Sequence, residues 1–177
     1  MESHEVVTRA LGSDPLIGSA GHSYDHPHMT RLPEGKRIEQ LSRTQTVQRK
    51  LIGREGRLFR PPYGEYDPKL VELAARLGLK TVRWSLVTGD PDPGISARAL
   101  TRTVLTRAQP GDIVIMHMNG RGWHTSEALP AIVAGLRKKG FTMVTVSDLL
   151  STERARRVVG ASELALTHHA LSGDDVE

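Results

Sequence analysis

The chain has 177 residues, 38% of them hydrophobic and 25% charged, with a formal net charge of +4. That balance suits a folded domain with a sizeable core and excludes a disordered chain. With no cysteine, a disulfide scaffold, a thiol nucleophile and thiolate metal sites are excluded too. Arginines and lysines form no stripe interleaved with aromatics, so no nucleic-acid partner is expected. No run approaches the ~18 apolar residues of a membrane span. The start, Met1-Glu2-Ser3-His4-Glu5, is polar and acidic and predicts no signal peptide in this chain, which leaves a cytoplasmic location as the default.

Residues Glu2 to Leu11 are expected to form a short helix, broken by Pro15. The run Leu16-Ile17-Gly18-Ser19-Ala20 predicts a buried strand. Ile38, Leu41, Val47, Leu51 and Ile52 recur at helical spacing from Arg37 to Ile52, and Gly53 ends that helix. Leu58-Phe59 predicts a strand stub ahead of the Pro61-Pro62 break. Asp67-Pro68 combines an N-cap with a proline at the first helical position, opening a helix that stops at Gly78. Thr81 to Trp84 is expected to be a strand, and Ser96 to cap a helix running to Ala108. Asp112 to Met116 is apolar enough for a strand covered on both faces. A helix from about Ser126 to Lys139, a strand from Phe141 to Val146 and a short helix from Ser147 complete the series. Strand and helix alternate throughout, which means an α/β layer or barrel with parallel strands. The domain is expected to occupy residues 1–150, followed by a helical extension and a polar tail over 151–177.

Four clusters could carry chemistry. His22 and His26 stand four apart after a predicted strand, a spacing that can aim two imidazoles at one metal ion, or simply furnish a polar surface loop. Arg60-Pro61-Pro62-Tyr63-Gly64 makes a stiff turn that could aim a backbone N–H and fix the arginine, or only end a strand. Asp90 could orient a group in a central site, or serve the turn Asp90-Pro91-Asp92-Pro93-Gly94. His117 directly follows the most apolar strand, where barrels gather catalytic groups; it could act as acid or base, or be a hydrogen-bonded histidine at the core edge. Trp123 could stack on a sugar or pack on the barrel rim.

Taken together and in order, these segments resemble the polysaccharide deacetylases of carbohydrate esterase family 4, the NodB-homology domain. His22-Ser23-Tyr24-Asp25-His26-Pro27 resembles the family's metal-binding motif, and Arg60-Pro61-Pro62-Tyr63-Gly64 its Arg-x-Pro-Tyr-Gly motif. Ile113 to His117 resembles the segment ending in the catalytic histidine. The resemblance runs from about His4 to Leu150 and implies a deformed (β/α) barrel. It also implies a divalent metal, most often zinc, held by His22 and His26, and hydrolysis of an N-acetyl group on an amino-sugar polymer or related carbohydrate. By the same resemblance Tyr63 offers its N–H to the oxyanion, His117 protonates the leaving amine, Asp90 tunes His117 and Arg60 orients the base. Ile115 or Met116 lines the pocket for the acetyl methyl, and the loop carrying Trp123 borders the groove. The family's opening Thr-Phe-Asp-Asp motif has no counterpart here, so the barrel is expected to be incomplete at its N-terminus. Relatives are often exported. The alternatives are a catalytically inactive carbohydrate binder and, with less support, a binder of anionic polymers.

Overall fold

The computed structural model describes residues 4–14 and 16–151. Within them lie helices α1 (Glu5–Ser13), α2 (Glu34–Ile52), α3 (Pro68–Arg76), α4 (Ala97–Arg107), α5 (Thr125–Lys138) and α6 (Val146–Ser151) and four short strands. These are β1 (Leu58–Phe59), β2 (Lys80–Thr81), β3 (Leu86–Val87) and β4 (Val114–Ile115). β1 pairs with β2 and β3 with β4, both in parallel, with α3 and α4 inside the crossovers. One compact unit extends through Thr142, and a second begins at Met143. The expected helical extension and tail over 151–177 lie, apart from Ser151, outside the described residues.

Two hydrophobic clusters support these strand pairs. Met29, Leu41, Phe59, Leu70, Ala74 and Leu79 pack beneath β1 and β2. Leu86, Leu100, Val104, Ala128, Ile132 and Leu136 pack beneath β3 and β4. A two-residue strand closes few ladder bonds, each worth about 1 kcal/mol net, whereas a fully buried Leu or Phe contributes about 1.5–3 kcal/mol. The strands are therefore held in place by the side chains under them.

Several local signals read in the sequence are realised. The Asp67 side chain accepts the Leu70 N–H at 2.7 Å, with Pro68 opening α3. The Ser96 hydroxyl accepts the Ala99 N–H at 3.3 Å. Gly78 and Gly140 take the left-handed conformation just past α3 and α5, with φ of 73° and 85°. In both cases the next residue turns its N–H back to the helix: Leu79 to the Ala74 carbonyl at 2.9 Å, Phe141 to that of Leu136 at 3.0 Å.

That closure explains one correction. Phe141 to Val146 is not a strand: the Phe141 N–H is committed to α5, and Thr142, Met143 and Val144 are exposed. Leu16 to Ala20 is not a buried strand either. Leu16 is 80% exposed, and pairing begins only at Gly21, which bridges Phe59. An apolar run becomes a strand only where another backbone lies beside it. The strand expected over Thr81–Trp84 is displaced to Lys80–Thr81, and Leu86–Val87 forms a separate strand. The long strand expected from Asp112 is reduced to Val114–Ile115, because the Asp112 carboxylate accepts the Ser85 hydroxyl and the Gln109 N–H in a turn.

Helix α2 differs in kind. It starts at Glu34, and its buried face is mostly polar: Arg37, Gln40, Thr44, Gln45 and Gln48 beside Leu41 and Leu51. Each of the longer polar side chains holds another segment. Gln45 donates to the Leu77 carbonyl and Gln48 to the Ser19 hydroxyl, while Gln48 accepts the Gly56 N–H. Arg37 donates to the carbonyls of Thr30 and Leu32 and, through Nη1, to both oxygens of Asp67 at 2.8 Å. Asp67 thus caps α3 and neutralises a buried guanidinium at once. Asp67→Ala should lower unfolding free energy by about 3 kcal/mol or more, because it strands that charge and removes the cap. Asp67→Asn keeps a cap and should cost clearly less. Urea unfolding of the two variants measures this, and equal small losses would refute the clamp.

Candidate active site

The histidine motif is fixed by the first core. Gly21 donates to the Leu58 carbonyl at 2.7 Å and accepts from the Arg60 N–H at 2.9 Å, so the residue after it leaves beside Arg60. There the His22 Nδ1 lies 2.5 Å from the Arg60 carbonyl oxygen. A carbonyl only accepts, so Nδ1 carries the proton and Nε2 keeps its lone pair. Ser23 and His26 adopt positive φ (59° and 57°), and the His26 N–H donates to the Ser23 hydroxyl, which reverses the chain and returns the second imidazole to the first. The two rings meet edge to face at 4.8 Å. Gln40 of α2 secures the loop from behind, accepting the N–H groups of Tyr24 and Asp25 and donating to the Asp25 carboxylate at 2.7 Å.

The Arg60 segment turns sharply. Pro61 and Pro62 are buried, Tyr63 has φ 59° and ψ 0°, and Gly64 follows with φ 74°. A side chain at Gly64 would place its Cβ 2.7 Å from the Trp84 ring, so glycine is required there by space as well as by conformation. Tyr63 is 46% exposed. The Arg60 guanidinium lies 5.8 Å from the Trp84 ring centroid.

The second core delivers the remaining groups. Asp90, beyond the end of β3, is 2% exposed and fully engaged. Its Oδ2 accepts the His117 N–H at 2.6 Å and the Thr125 hydroxyl at 2.8 Å. Its Oδ1 lies 3.0 Å from the His117 Nδ1 and 3.1 Å from the Thr88 hydroxyl, which also reaches the Ile115 carbonyl at 2.9 Å. Ile115 is buried in β4, and Trp123 is 59% exposed on the loop after His117. That loop turns back tightly: a Cβ on Gly122 would sit 2.0 Å from the His117 carbonyl oxygen.

Electrostatics connect the two halves. Burial, reinforced by the charges of Arg60, His26 and His117, pushes His22 down to about 4, against a partial rise from its bond to Arg60. Burial also lowers His26, aided by Arg121, Arg60 and His117. His117 is thus within electrostatic reach of both histidines of the first motif. Burial pushes Asp90 up, but the bonds from His117 and Thr125 outweigh it and hold the carboxyl below its usual range. Burial lowers Arg60 as well.

Two imidazoles with one tautomer already set suit a divalent ion of the zinc type. Among the described residues no group of three His, Cys, Asp or Glu gathers around one point. Asp25, the nearest acid in sequence, is held by Gln40, and Asp14 accepts the Leu16 N–H.

A polysaccharide deacetylase family model matches residues 1–82. The structure of a family 4 carbohydrate esterase from Streptomyces lividans, in complex with acetate, is 33% identical with a TM-score of 0.69. The match covers 78% of this chain and 69% of that one. The chain belongs to the polysaccharide deacetylases of carbohydrate esterase family 4. Its parallel strand-and-helix order is that of the family's deformed (β/α) barrel, here as two strand pairs among the described residues. The peptidoglycan-N-acetylglucosamine deacetylase of Bacillus cereus is 29% identical over 154 residues, covering 86% of this chain and 55% of that protein. A family 4 pseudoenzyme from Bacillus anthracis is 25% identical with a TM-score of 0.77, over 85% of this chain and 52% of that one. This chain therefore spans about half the length of the Bacillus cereus deacetylase.

The sequence singles out His22, His26, Arg60, Tyr63, Asp90, Ile115 and His117 by their likeness to family segments and Trp123 as a loop aromatic, but not Thr88, Thr125 or Gln40. Thr88 stands only two residues from Asp90, whereas Thr125 is 35 residues away in sequence and meets it only in the fold. A threonine at the first position of α5, soon after a histidine loop, is the one signal for the latter.

In metal-free protein His22 remains neutral to about pH 4, whereas an ordinary histidine protonates near 6.5. Between those values the unfolded chain binds the extra proton, so stability is full above pH 6.5 and falls as pH drops toward 4. Urea midpoints across that range should show the fall, and His22→Asn should flatten it. An unchanged slope in the variant would exclude His22 as its source.

Proposed function

We propose that this chain carries the active face of a metal-dependent deacetylase that hydrolyses an N-acetyl group on an amino-sugar polymer or related carbohydrate. The observation that supports this most is geometric: the His22 and His26 rings are paired at 4.8 Å with His22 tied to the Arg60 turn, and His117 is bonded to a buried Asp90. His22 and His26 would hold the ion, zinc being the best match for neutral imidazoles. Such an ion supplies polarisation of the acetyl carbonyl and acidifies a water. His117 holds the proton destined for the leaving amine on Nε2, because Nδ1 is bonded to Asp90. Asp90 positions that ring through bonds to its Nδ1 and to the His117 backbone N–H. Tyr63 presents its N–H to the developing oxyanion, from a turn stiffened by Pro61 and Pro62. Arg60 would orient the general base, which in the family is an aspartate of the Thr-Phe-Asp-Asp motif that has no counterpart in this chain; Ile115 lines the seat of the acetyl methyl, and Trp123 offers an exposed face for a sugar ring.

The alternative is a non-catalytic carbohydrate binder. It is favoured by the absence, among the described residues, of a third acid or histidine beside His22 and His26, since catalytic zinc sites commonly use three protein ligands. Likeness to the Bacillus anthracis pseudoenzyme points the same way.

The deciding experiment measures acetate release from acetylated chito-oligosaccharide by the protein as its own cell produces it, with zinc added. His22→Ala should abolish both zinc binding and turnover. His117→Ala should lower turnover at least about a hundredfold and leave zinc affinity within about twofold, as expected for a proton donor that holds no metal. Oligosaccharide binding without acetate release would establish the non-catalytic alternative.

A further inference from the structure

Four rings form a continuous row along the site. His22 meets His26 edge to face at 4.8 Å, and His26 meets Tyr63 at 4.7 Å with 73° between planes. Tyr63 then lies flat on His28, with centroids 4.1 Å apart and planes 10° from parallel. The inner end is tied by the His22 Nδ1 bond to the Arg60 carbonyl. The outer end is tied by the His28 Nδ1, 2.9 and 3.1 Å from the two carboxylate oxygens of Glu65. Neither His28 nor Glu65 has a role in the chemistry assigned above.

What the row restrains is Tyr63. Its φ of 59° is the left-handed conformation, which costs a non-glycine residue about 1–2 kcal/mol and persists only where the surroundings impose it. Burial does not impose it, because Tyr63 is 46% exposed. The hydroxyl contributes a long bond to the His26 carbonyl, 3.3 Å. The flat contact with His28 is the closest of the ring's neighbours, and an aromatic pair of that kind contributes about 0.5–1.5 kcal/mol, comparable with the strain. His28 in turn is kept from rotating by Glu65, only two residues beyond Tyr63 on the same turn.

We infer that His28, anchored by Glu65, is a positioning residue: its ring clamps Tyr63 in the left-handed conformation that aims the Tyr63 N–H, and through Tyr63 it steadies His26. The purpose of that N–H rests on the deacetylase assignment; the clamp itself does not.

The test uses His28→Ala and His28→Phe, both at a partly exposed position where folding is not at stake. Two readouts are taken on each: the NMR order parameter of the Tyr63 backbone N–H, and kcat and KM for acetate release with zinc. In His28→Ala the Tyr63 amide should become disordered, and kcat should fall about tenfold with KM within about twofold, since an oxyanion donor acts on charge that develops in the transition state. His28→Phe keeps a flat ring and should restore most of both. A Tyr63 amide that remains ordered in His28→Ala overturns the clamp. A loss confined to zinc affinity also overturns it and moves His28 to the metal. A disordered amide with unchanged turnover upholds the clamp and removes the oxyanion role from Tyr63.

Discussion

A carboxylate out of reach of water must have every lone pair occupied, and Asp90 meets that condition with groups from three places in the chain. His117 supplies a backbone and a ring N–H, Thr125 a hydroxyl from the start of α5, and Thr88 a hydroxyl from the end of β3. Each bond to a charged acceptor is worth about 1.5–3 kcal/mol, and leaving one unmade costs a similar amount. The ends of β3 and β4 and the beginning of α5 therefore cannot drift independently. Since the strands contribute only two residues each, this polar knot sets the rim of the second core as firmly as the packing beneath it.

The first core answers the same problem with α2. A helix whose inner face is Arg37, Gln40, Thr44, Gln45 and Gln48 gains less from burial than an apolar one, but it gains direction. Its amides grip loop backbones that have no strand to pair with, including the loop carrying His22 and His26. Histidines on irregular backbone are thereby held as closely as if they stood on a regular element.

What the sequence disclosed and what it concealed divide along one line. Asp67, Ser96, Gly78 and Gly140 were legible because capping is local: donor and acceptor lie within a few residues. The motif and order also pointed to the segments where the His22 and His26 rings pair and where His117 meets Asp90. The runs at Leu16 and Phe141 misled because apolar character does not say whether a partner strand is alongside. The polar face of α2 was invisible to a count of apolar spacing, since Gln48 is explained only by Ser19 and Gly56. Thr125 was missed for the same reason, having no local reason to exist until Asp90 is folded beside it.

The loop after His117 has its ends pinned but not its middle. Gly122 leaves no room for a side chain beside the His117 carbonyl and Thr125 donates to Asp90, while Met118, Asn119, Gly120 and Arg121 are exposed and the Arg121 N–H donates to the Asn119 side chain. None of these four residues takes part in the bonds that His117 and Thr125 make to Asp90. The exposed middle of the loop can therefore change in size and charge within a lineage while the buried bonds around Asp90 remain constant beneath it.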